Sequence, residues 1–187
     1  MQSRLIRALD VGFSLLGIIV AMPLILLILV AGFFDNRSPL FFQQRVGRNR
    51  RLFTLVKFRT MARDTESVGT HLVDGRSITR LGKLLRRTKL DELPQLFNVL
   101  RGDMSLVGPR PCLPNQHELI RERDSRGVFG ALPGITGLAQ IRGIDMSMPR
   151  KLAIYDRLMV RSLTPSRYFC LIIATALGRG SGDRVRS

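Results

Sequence analysis

Two adjacent carboxylates, Asp91 and Glu92, are the side chains of this sequence that are best suited to chemistry. Pro94 follows them, and proline is comfortable only in the first turn of a helix, so Asp91 is predicted near the N-cap. Adjacent helical side chains point about 100° apart, so the two carboxylates need separate roles. A helix N-terminus favours an ionised aspartate and can hold phosphate. Asp91 is therefore a candidate nucleophile or metal ligand, or else a simple cap.

Four basic residues are candidates for binding a phosphate beside these carboxylates. Arg110 lies between two prolines, and such a stiff loop reduces the entropy lost when an arginine holds a ligand. Arg86 comes shortly before Asp91 in the chain, and Lys57 and Arg59 lie at the end of an apolar run. The alternative for each is an ordinary surface charge.

Apolar patterns predict the elements that position these residues. Residues 41–46 and 52–58 are apolar-rich and flank Gly47-Arg48-Asn49-Arg50, which indicates a β-hairpin with an arginine-rich tip. Further along the chain, apolar residues recur at helical spacing. These residues are Ile78, Leu81, Leu84 and Leu85, then Leu93, Leu96, Phe97 and Leu100, and then Leu152, Tyr155, Leu158 and Met159.

The composition restricts the kind of partner. The formal net charge is +16, and nearly all of the 30 basic residues are arginine, whose planar fork of donors suits phosphate and carboxylate. A nucleic acid, an anionic lipid or a phosphate-bearing substrate fits this charge. Without tryptophan, a stacking surface for single-stranded nucleic acid is poor. Cys112 and Cys170 are isolated, so both are predicted to be buried thiols rather than zinc ligands.

Residues 11–34 form a segment without any charged side chain. As a helix it would be about 36 Å long, enough to cross a bilayer core of about 30 Å. Pro23 lies in its middle, and basic residues flank both of its ends, which favours one side of the membrane for both ends. The segment is therefore either a re-entrant helix broken at Met22-Pro23 or a kinked span, and a cleaved signal peptide is less compatible with its length.

These observations predict an α+β fold that is mainly helical and has three parts. Residues 1–35 are predicted to be the membrane helix, and residues 36–177 a small domain with a β-hairpin and interfacial amphipathic helices. Within that domain, the apolar run 168–177 is too short to span a bilayer and fits a helix lying in the membrane interface. Residues 178–187 are basic, and a disordered tail is expected there.

Four ordered motifs resemble the bacterial sugar transferase family, the small monotopic phosphoglycosyl transferases, in their minimal catalytic form. The resemblance covers nearly the whole chain, with the apolar segment at its N-terminus. The motifs are Lys57-Phe58-Arg59-Thr60-Met61, Leu90-Asp91-Glu92-Leu93-Pro94-Gln95-Leu96, Gly102-Asp103-Met104-Ser105-Leu106-Val107-Gly108-Pro109-Arg110-Pro111 and Pro133-Gly134-Ile135-Thr136-Gly137.

The resemblance implies a specific reaction. Such enzymes move sugar-1-phosphate from a UDP-sugar to undecaprenyl phosphate and release UMP, an early step in bacterial glycoconjugate synthesis. Asp91 would be the nucleophile that forms a covalent sugar-phosphoryl aspartate, and Glu92 would complete the dyad. Mg²⁺ would bridge Asp91 and the diphosphate. Arg110 and Arg86 would bind phosphate, and Lys57 and Arg59 are candidates for the same anion site.

The family also implies a location and partners. The enzyme would be monotopic in the bacterial inner membrane, with a re-entrant helix, anionic lipid around it and its catalytic domain in the cytoplasm. Members often carry a serine before the membrane proline, where this chain has Met22. Loose likeness in the C-terminal third favours an N-acetylated sugar. The competing hypotheses are a non-catalytic scaffold on anionic lipid and a nucleic-acid-binding module, for which no recognisable motif is present.

Overall fold

The computed structural model describes residues 3–62 and 77–178, and within them the chain is mainly helical with a small antiparallel hairpin. The basic tail expected at residues 178–187 falls largely outside the described residues. The elements are α1 (Arg4–Asn36), β1 (Leu40–Val46), β2 (Leu52–Phe58), α2 (Arg80–Thr88), α3 (Gln95–Arg101), β3 (Ser105–Val107), α4 (His117–Asp124), β4 (Gly134–Thr136), α5 (Leu138–Ile141), α6 (Pro149–Ser162) and α7 (Pro165–Ala176).

The predicted hairpin is confirmed. Strands β1 and β2 pair antiparallel from Leu40 opposite Phe58 to Val46 opposite Leu52. Asn49 adopts a left-handed backbone conformation in the tip, which lets the chain reverse within a few residues. The hairpin thus runs from the end of α1 to the Lys57 motif.

A second strand pair joins the two C-terminal motifs. Strand β3 pairs parallel with β4, and Gly108 donates its N–H to the carbonyl of Thr136 over 2.9 Å. A side chain at Gly134 would collide with the backbone of Gly108, so the approach requires glycine. The N–H of Gly134 in turn donates to the carbonyl of Pro109.

Helix α1 runs from Arg4 to Asn36 and continues through Pro23 without interruption. The predicted break at this proline is therefore not confirmed. Proline removes one backbone hydrogen bond, and the surrounding turns can keep the helix in register. By length and composition α1 is able to cross a membrane. Its exposed apolar face includes Leu16, Ile19, Val20, Leu27, Val30 and Phe34.

The opposite face of α1 packs on the rest of the protein at both ends. Near the start, the guanidinium of Arg7 donates to the carbonyl of Val99, 2.7 Å away, at the end of α3. Near the end, Ile25 and Ile28 pack with Phe58 and other residues in one buried cluster. Both ends of the apolar helix therefore contact the same domain.

Asp10 is the strongest polar link between α1 and that domain. Its Oδ1 atom accepts hydrogen bonds from the hydroxyl of Ser105 (3.0 Å), the N–H of Leu106 (2.9 Å) and the hydroxyl of Tyr168 (2.8 Å). The side chain is fully buried. Burial and the Asp10 carboxylate raise the pKa of Tyr168, so its hydroxyl stays protonated and donates. One oxygen of α1 thus holds both β3 and α7.

The helices predicted from spacing are present, with some differences at their boundaries. Ile78 precedes α2 and forms a strand bridge with Met61 instead. In α3 the predicted apolar residue Phe97 is exposed, whereas Asn98 is buried. The Asn98 amide accepts from the N–H of Val56 and donates to the carbonyl of Thr54, so it joins α3 to β2. The apolar pattern therefore did not predict that the polar residue Asn98 lies on the buried face of α3.

Replacing Asp10 by alanine is expected to destabilise the protein, because three buried donors lose their acceptor. At about 1 kcal/mol or more for each unpaired donor, the loss is about 3 kcal/mol. At about 2–4 °C per kcal/mol, the melting temperature in detergent should fall by about 6–12 °C. Asp35→Ala, at an exposed acid on the same helix, is the control and should change little. Equal melting temperatures for the two variants would contradict this role of Asp10.

Candidate active site

Asp91 and Glu92 lie in a short 3₁₀ turn, Leu90–Glu92, rather than at the cap of the following helix. The N-cap of α3 is Pro94, so the predicted N-cap position of Asp91 is wrong by a few residues. The reason lies just upstream, where Lys89 ends α2 in a left-handed conformation and starts the tight turn at once. Asp91 is 6% exposed, so its carboxylate is largely removed from bulk water.

An anion pocket lies beside this turn and gathers residues from three of the sequence motifs. Lys57 comes from β2, Gln95 from the start of α3, and Arg110 from the loop after β3. Arg45 of β1 adds another cation. Of the predicted phosphate-binding residues, Lys57 and Arg110 are therefore brought together, although they are far apart in the sequence. Three cationic side chains around one pocket give it the charge that suits a phosphate. The pocket itself has a volume of about 10 Å³, room for about one water molecule, so these side chains would have to move apart to admit a phosphate.

Glu92 is linked to this pocket through Arg110. Nη2 of Arg110 donates to Oε1 of Glu92 over 2.9 Å, and both side chains are mostly buried. The pair fixes the direction of the arginine.

A buried ion pair supports the loop that carries Arg110. Arg123 of α4 donates to Oδ2 of Asp156 in α6 at 2.7 and 2.9 Å, and both side chains are 2% exposed. Nη1 of Arg123 also donates to the main-chain carbonyl of Arg110 over 2.8 Å. Together with the flanking prolines, this bond fixes the backbone from which the Arg110 side chain extends.

Arg86 and Arg59 contact the first motif. Nε of Arg86 donates to the hydroxyl of Thr60, 2.8 Å away, which places Arg86 at the end of β2. Arg59 donates to the carbonyls of Ser38 and Leu40, at the connection between α1 and the hairpin. Neither arginine lines the anion pocket described above. The contacts of Arg59 favour a role in holding the hairpin against the end of α1.

Sequence reasoning missed several residues that shape this site. Arg45 lies two residues after Gln43, so the two side chains share one face of strand β1. That face points inward, where an arginine is unusual, and this was a detectable signal. Arg45 is 8% exposed and donates to the carbonyl of Pro111 and to the Gln43 side chain. Arg123 and Asp156 had no such signal, because charged residues in amphipathic helices are ordinarily solvated.

The two cysteines differ in their surroundings. Cys112 follows the Arg110 loop and is buried, as predicted, whereas Cys170 is exposed, which contradicts the prediction. Burial raises the pKa of the Cys112 thiol despite the nearby Arg123 and Arg45. Cys112 therefore stays a neutral thiol that packs in the core.

No cluster of three or more His, Cys, Asp or Glu side chains able to hold a metal occurs within residues 3–62 and 77–178. Mg²⁺ is commonly held by one or two carboxylates, with substrate phosphate and water as the remaining ligands. Asp91 would supply one such carboxylate to a cation that arrives with a substrate phosphate.

These features of sequence and structure agree with a known family. Residues 1–179 match the family model described as bacterial sugar transferase, and the chain belongs to that family.

Three relatives illustrate the similarity. The chain is 44% identical over 148 residues to undecaprenyl-phosphate glucose phosphotransferase of Komagataeibacter xylinus, which is 73% of this chain and 27% of the relative. It is 39% identical over 142 residues to UDP-N-acetylgalactosamine-undecaprenyl-phosphate N-acetylgalactosaminephosphotransferase of Aeromonas hydrophila, or 70% of this chain and 33% of the relative. With exopolysaccharide production protein ExoY of Sinorhizobium fredii it shares 35% identity over 200 residues, or 94% and 87%. The chain thus spans about a third or less of the first two relatives.

Arg123→Met is expected to destabilise the fold and to weaken phosphate binding, because it leaves Asp156 buried without its partner. Breaking a buried pair costs about 3–5 kcal/mol, and at about 2–4 °C per kcal/mol the melting temperature falls by about 6–20 °C. Arg121→Met, an exposed arginine on the same helix, is the control.

The double variant Arg123→Met with Asp156→Leu separates the two effects. It should recover stability, since both buried charges are gone. The main-chain carbonyl of Arg110 still lacks the donor that Arg123 supplied, so UMP, used as a phosphate-bearing probe, should bind more weakly than to the wild type. Recovery of UMP affinity together with stability would show that Arg123 does not position Arg110.

Proposed function

We propose that this protein is a phosphoglycosyl transferase that moves sugar-1-phosphate from a UDP-sugar to undecaprenyl phosphate and releases UMP. The observation that carries the proposal is the anion pocket of Arg45, Lys57 and Arg110 next to the Asp91-Glu92 turn. A diphosphate is the kind of ligand that such a pocket would bind beside a buried carboxylate. Membership of the bacterial sugar transferase family and the activities for which the relatives are named support the same reaction.

In the first step, an Asp91 carboxylate oxygen attacks the β-phosphorus of the UDP-sugar. A new bond forms between this oxygen and phosphorus, and the bond from phosphorus to the bridging oxygen breaks. UMP leaves with that electron pair, and a sugar-phosphoryl aspartate remains. Arg110, directed by Glu92, and Lys57 stabilise the negative charge that develops on the phosphate oxygens.

In the second step, a phosphate oxygen of undecaprenyl phosphate attacks the same phosphorus. The bond to Asp91 breaks, its carboxylate is restored, and the product is an undecaprenyl diphosphate sugar. Because UMP leaves before the lipid phosphate reacts, one anion pocket serves both substrates in turn.

Asp91 would hold Mg²⁺ together with the substrate diphosphate, and the bound cation would offset repulsion between the carboxylate and the phosphates. Arg86 is retained as a candidate phosphate ligand, with its described contact directed at the hydroxyl of Thr60. Arg59 is retained as a candidate through its motif, with its described contacts directed at the hairpin.

We also propose that the protein is monotopic in the bacterial inner membrane, with its domain on the cytoplasmic side. The apolar face of α1 would lie against acyl chains and anionic headgroups, and α7 would lie in the interface, where Phe169 and Ile173 are exposed. The basic residues on both flanks of α1 support a re-entrant course over a span. The 3₁₀ turn would then present Asp91 at the depth of the lipid phosphate.

The sugar is not assigned. The relatives are named for glucose in one case and N-acetylgalactosamine in another, so the expected preference for an N-acetylated sugar stays a proposal. The reaction would be the first membrane step of glycoconjugate synthesis, such as O-antigen, capsule, exopolysaccharide or glycoprotein.

Asp91→Asn should abolish turnover, because an amide cannot form the phosphoryl ester. UMP release should fall by about 10⁴-fold or more, as for other lost nucleophiles. The measurement is UMP release with a panel of UDP-sugars, undecaprenyl phosphate and Mg²⁺, together with mass spectrometry of the covalent adduct. Asp124→Asn, at an exposed acid on α4, should react at the wild-type rate. A near wild-type rate for Asp91→Asn would reject the nucleophile, and no UMP release by the wild type with any donor would favour a scaffold.

Impermeant maleimide labelling tests the membrane arrangement. In a Cys170→Ser background, Ser3→Cys and Ser38→Cys should both react from the same side of the membrane as Ser125→Cys, an exposed marker at the end of α4. Both ends of a re-entrant helix lie on one face, whereas the ends of a span lie on opposite faces. Reaction of Ser3→Cys from the other side would establish a kinked span.

A further inference from the structure

Two pockets lie on successive residues of the same loop. Arg110 and Pro111 line the anion pocket, whereas Gly108 and Pro109 line a separate cavity of about 210 Å³. The prolines keep the loop stiff, and the bond from Arg123 to the Arg110 carbonyl holds it in place. The two pockets therefore keep a fixed position relative to each other.

The second cavity, which we name the Pro109 cavity, is apolar. Ile6 of α1 forms part of its wall, and Val160 and Leu163 at the end of α6 form another part. None of the described residues that line it carries a charged side chain. A ligand held here is recognised by shape and apolar contact rather than by charge.

Two main-chain donors beside the Pro109 cavity are already used within the protein. The N–H of Gly108 donates to the carbonyl of Thr136, and the N–H of Gly127 donates to the carbonyl of Asp124. A nucleobase would need donors for its carbonyl oxygens, and leaving these oxygens unpaired is costly. An apolar occupant has no such need.

The size of the cavity points to part of a longer ligand. At about 210 Å³ it is smaller than the roughly 300–1,000 Å³ of sites that enclose a whole drug-sized molecule. It suits a short segment of an apolar chain. Because Ile6 belongs to α1, the cavity lies beside the membrane helix, where the remainder of such a chain would lie among the lipids.

We propose that the Pro109 cavity binds the phosphate-proximal isoprenoid units of undecaprenyl phosphate, with the lipid phosphate in the anion pocket of Arg45, Lys57 and Arg110. This inference rests on the proposed function. An anionic head joined directly to an apolar chain matches an anion pocket and an apolar cavity on adjoining residues of one loop. The UDP-sugar would use only the anion pocket, so the cavity serves the second half-reaction alone.

Val160→Trp tests the inference by filling the cavity, and Leu163→Phe does so with a smaller added volume in case the first variant folds poorly. Leu158→Trp is the matched control, since Leu158 lies on the same helix but is 53% exposed. Binding of farnesyl phosphate and of UMP to the full chain in detergent is measured by calorimetry. Melting temperatures establish that each variant is folded.

The cavity variants should bind farnesyl phosphate at least about tenfold more weakly than the wild type, as expected when a hydrophobic pocket loses its volume. Their affinity for UMP, and both affinities of Leu158→Trp, should stay within about twofold. In turnover, UMP release without lipid should be unchanged, while the KM for undecaprenyl phosphate rises by a similar factor.

Unchanged farnesyl phosphate binding in both cavity variants would overturn the inference. Loss of UMP affinity with intact farnesyl phosphate binding would also overturn it, because the cavity would then hold the nucleoside. If the wild type turns over no UDP-sugar but the cavity variants still lose farnesyl phosphate, the proposed function is wrong and the isoprenoid site stands.

Discussion

A single carboxylate oxygen joins the start of the apolar helix to two other elements of the protein. Oδ1 of Asp10 accepts from Ser105, Leu106 and Tyr168, which lie on β3 and α7. A buried acceptor with three donors is hard to replace, because each donor that is left unpaired costs about 1–3 kcal/mol. Since β3 leads directly into the Arg110 loop, the contact that holds α1 also supports that loop.

The loop after β3 is the point where the remaining elements meet. On one side it carries Arg110, whose guanidinium pairs with Glu92 and whose carbonyl accepts from Arg123. On the other side Gly108 lies directly against the Pro133-Gly134 backbone, which leaves no room for a side chain. A loop held from both sides keeps the anion pocket and the apolar cavity in fixed positions. This rigidity would suit the proposed two-step reaction, in which one phosphate after another is held in the same place.

Several features were predictable from the sequence because they depend on local chemistry. The hairpin follows from two apolar runs around Gly47, α6 follows from the spacing of its apolar residues, and α7 follows from the apolar run 168–177. The exact start of α3 was not predictable, since the left-handed turn at Lys89 moves the carboxylates into a 3₁₀ turn. The burial of Arg45 and Arg123 was also missed, because a charged residue is buried only where a partner from elsewhere in the chain meets it.

The sequence by itself determined the long apolar segment, the excess of arginine, the adjacent pair Asp91 and Glu92, and the stiff loop around Arg110. These are properties of residue type and short-range spacing. Only the tertiary structure decided that Lys57 and Arg110 share one pocket, that Arg59 bonds to the backbone near α1, and that an apolar cavity adjoins the pocket. These are contacts between distant parts of the chain, and they form only when burial and hydrogen bonding of the whole fold are satisfied together.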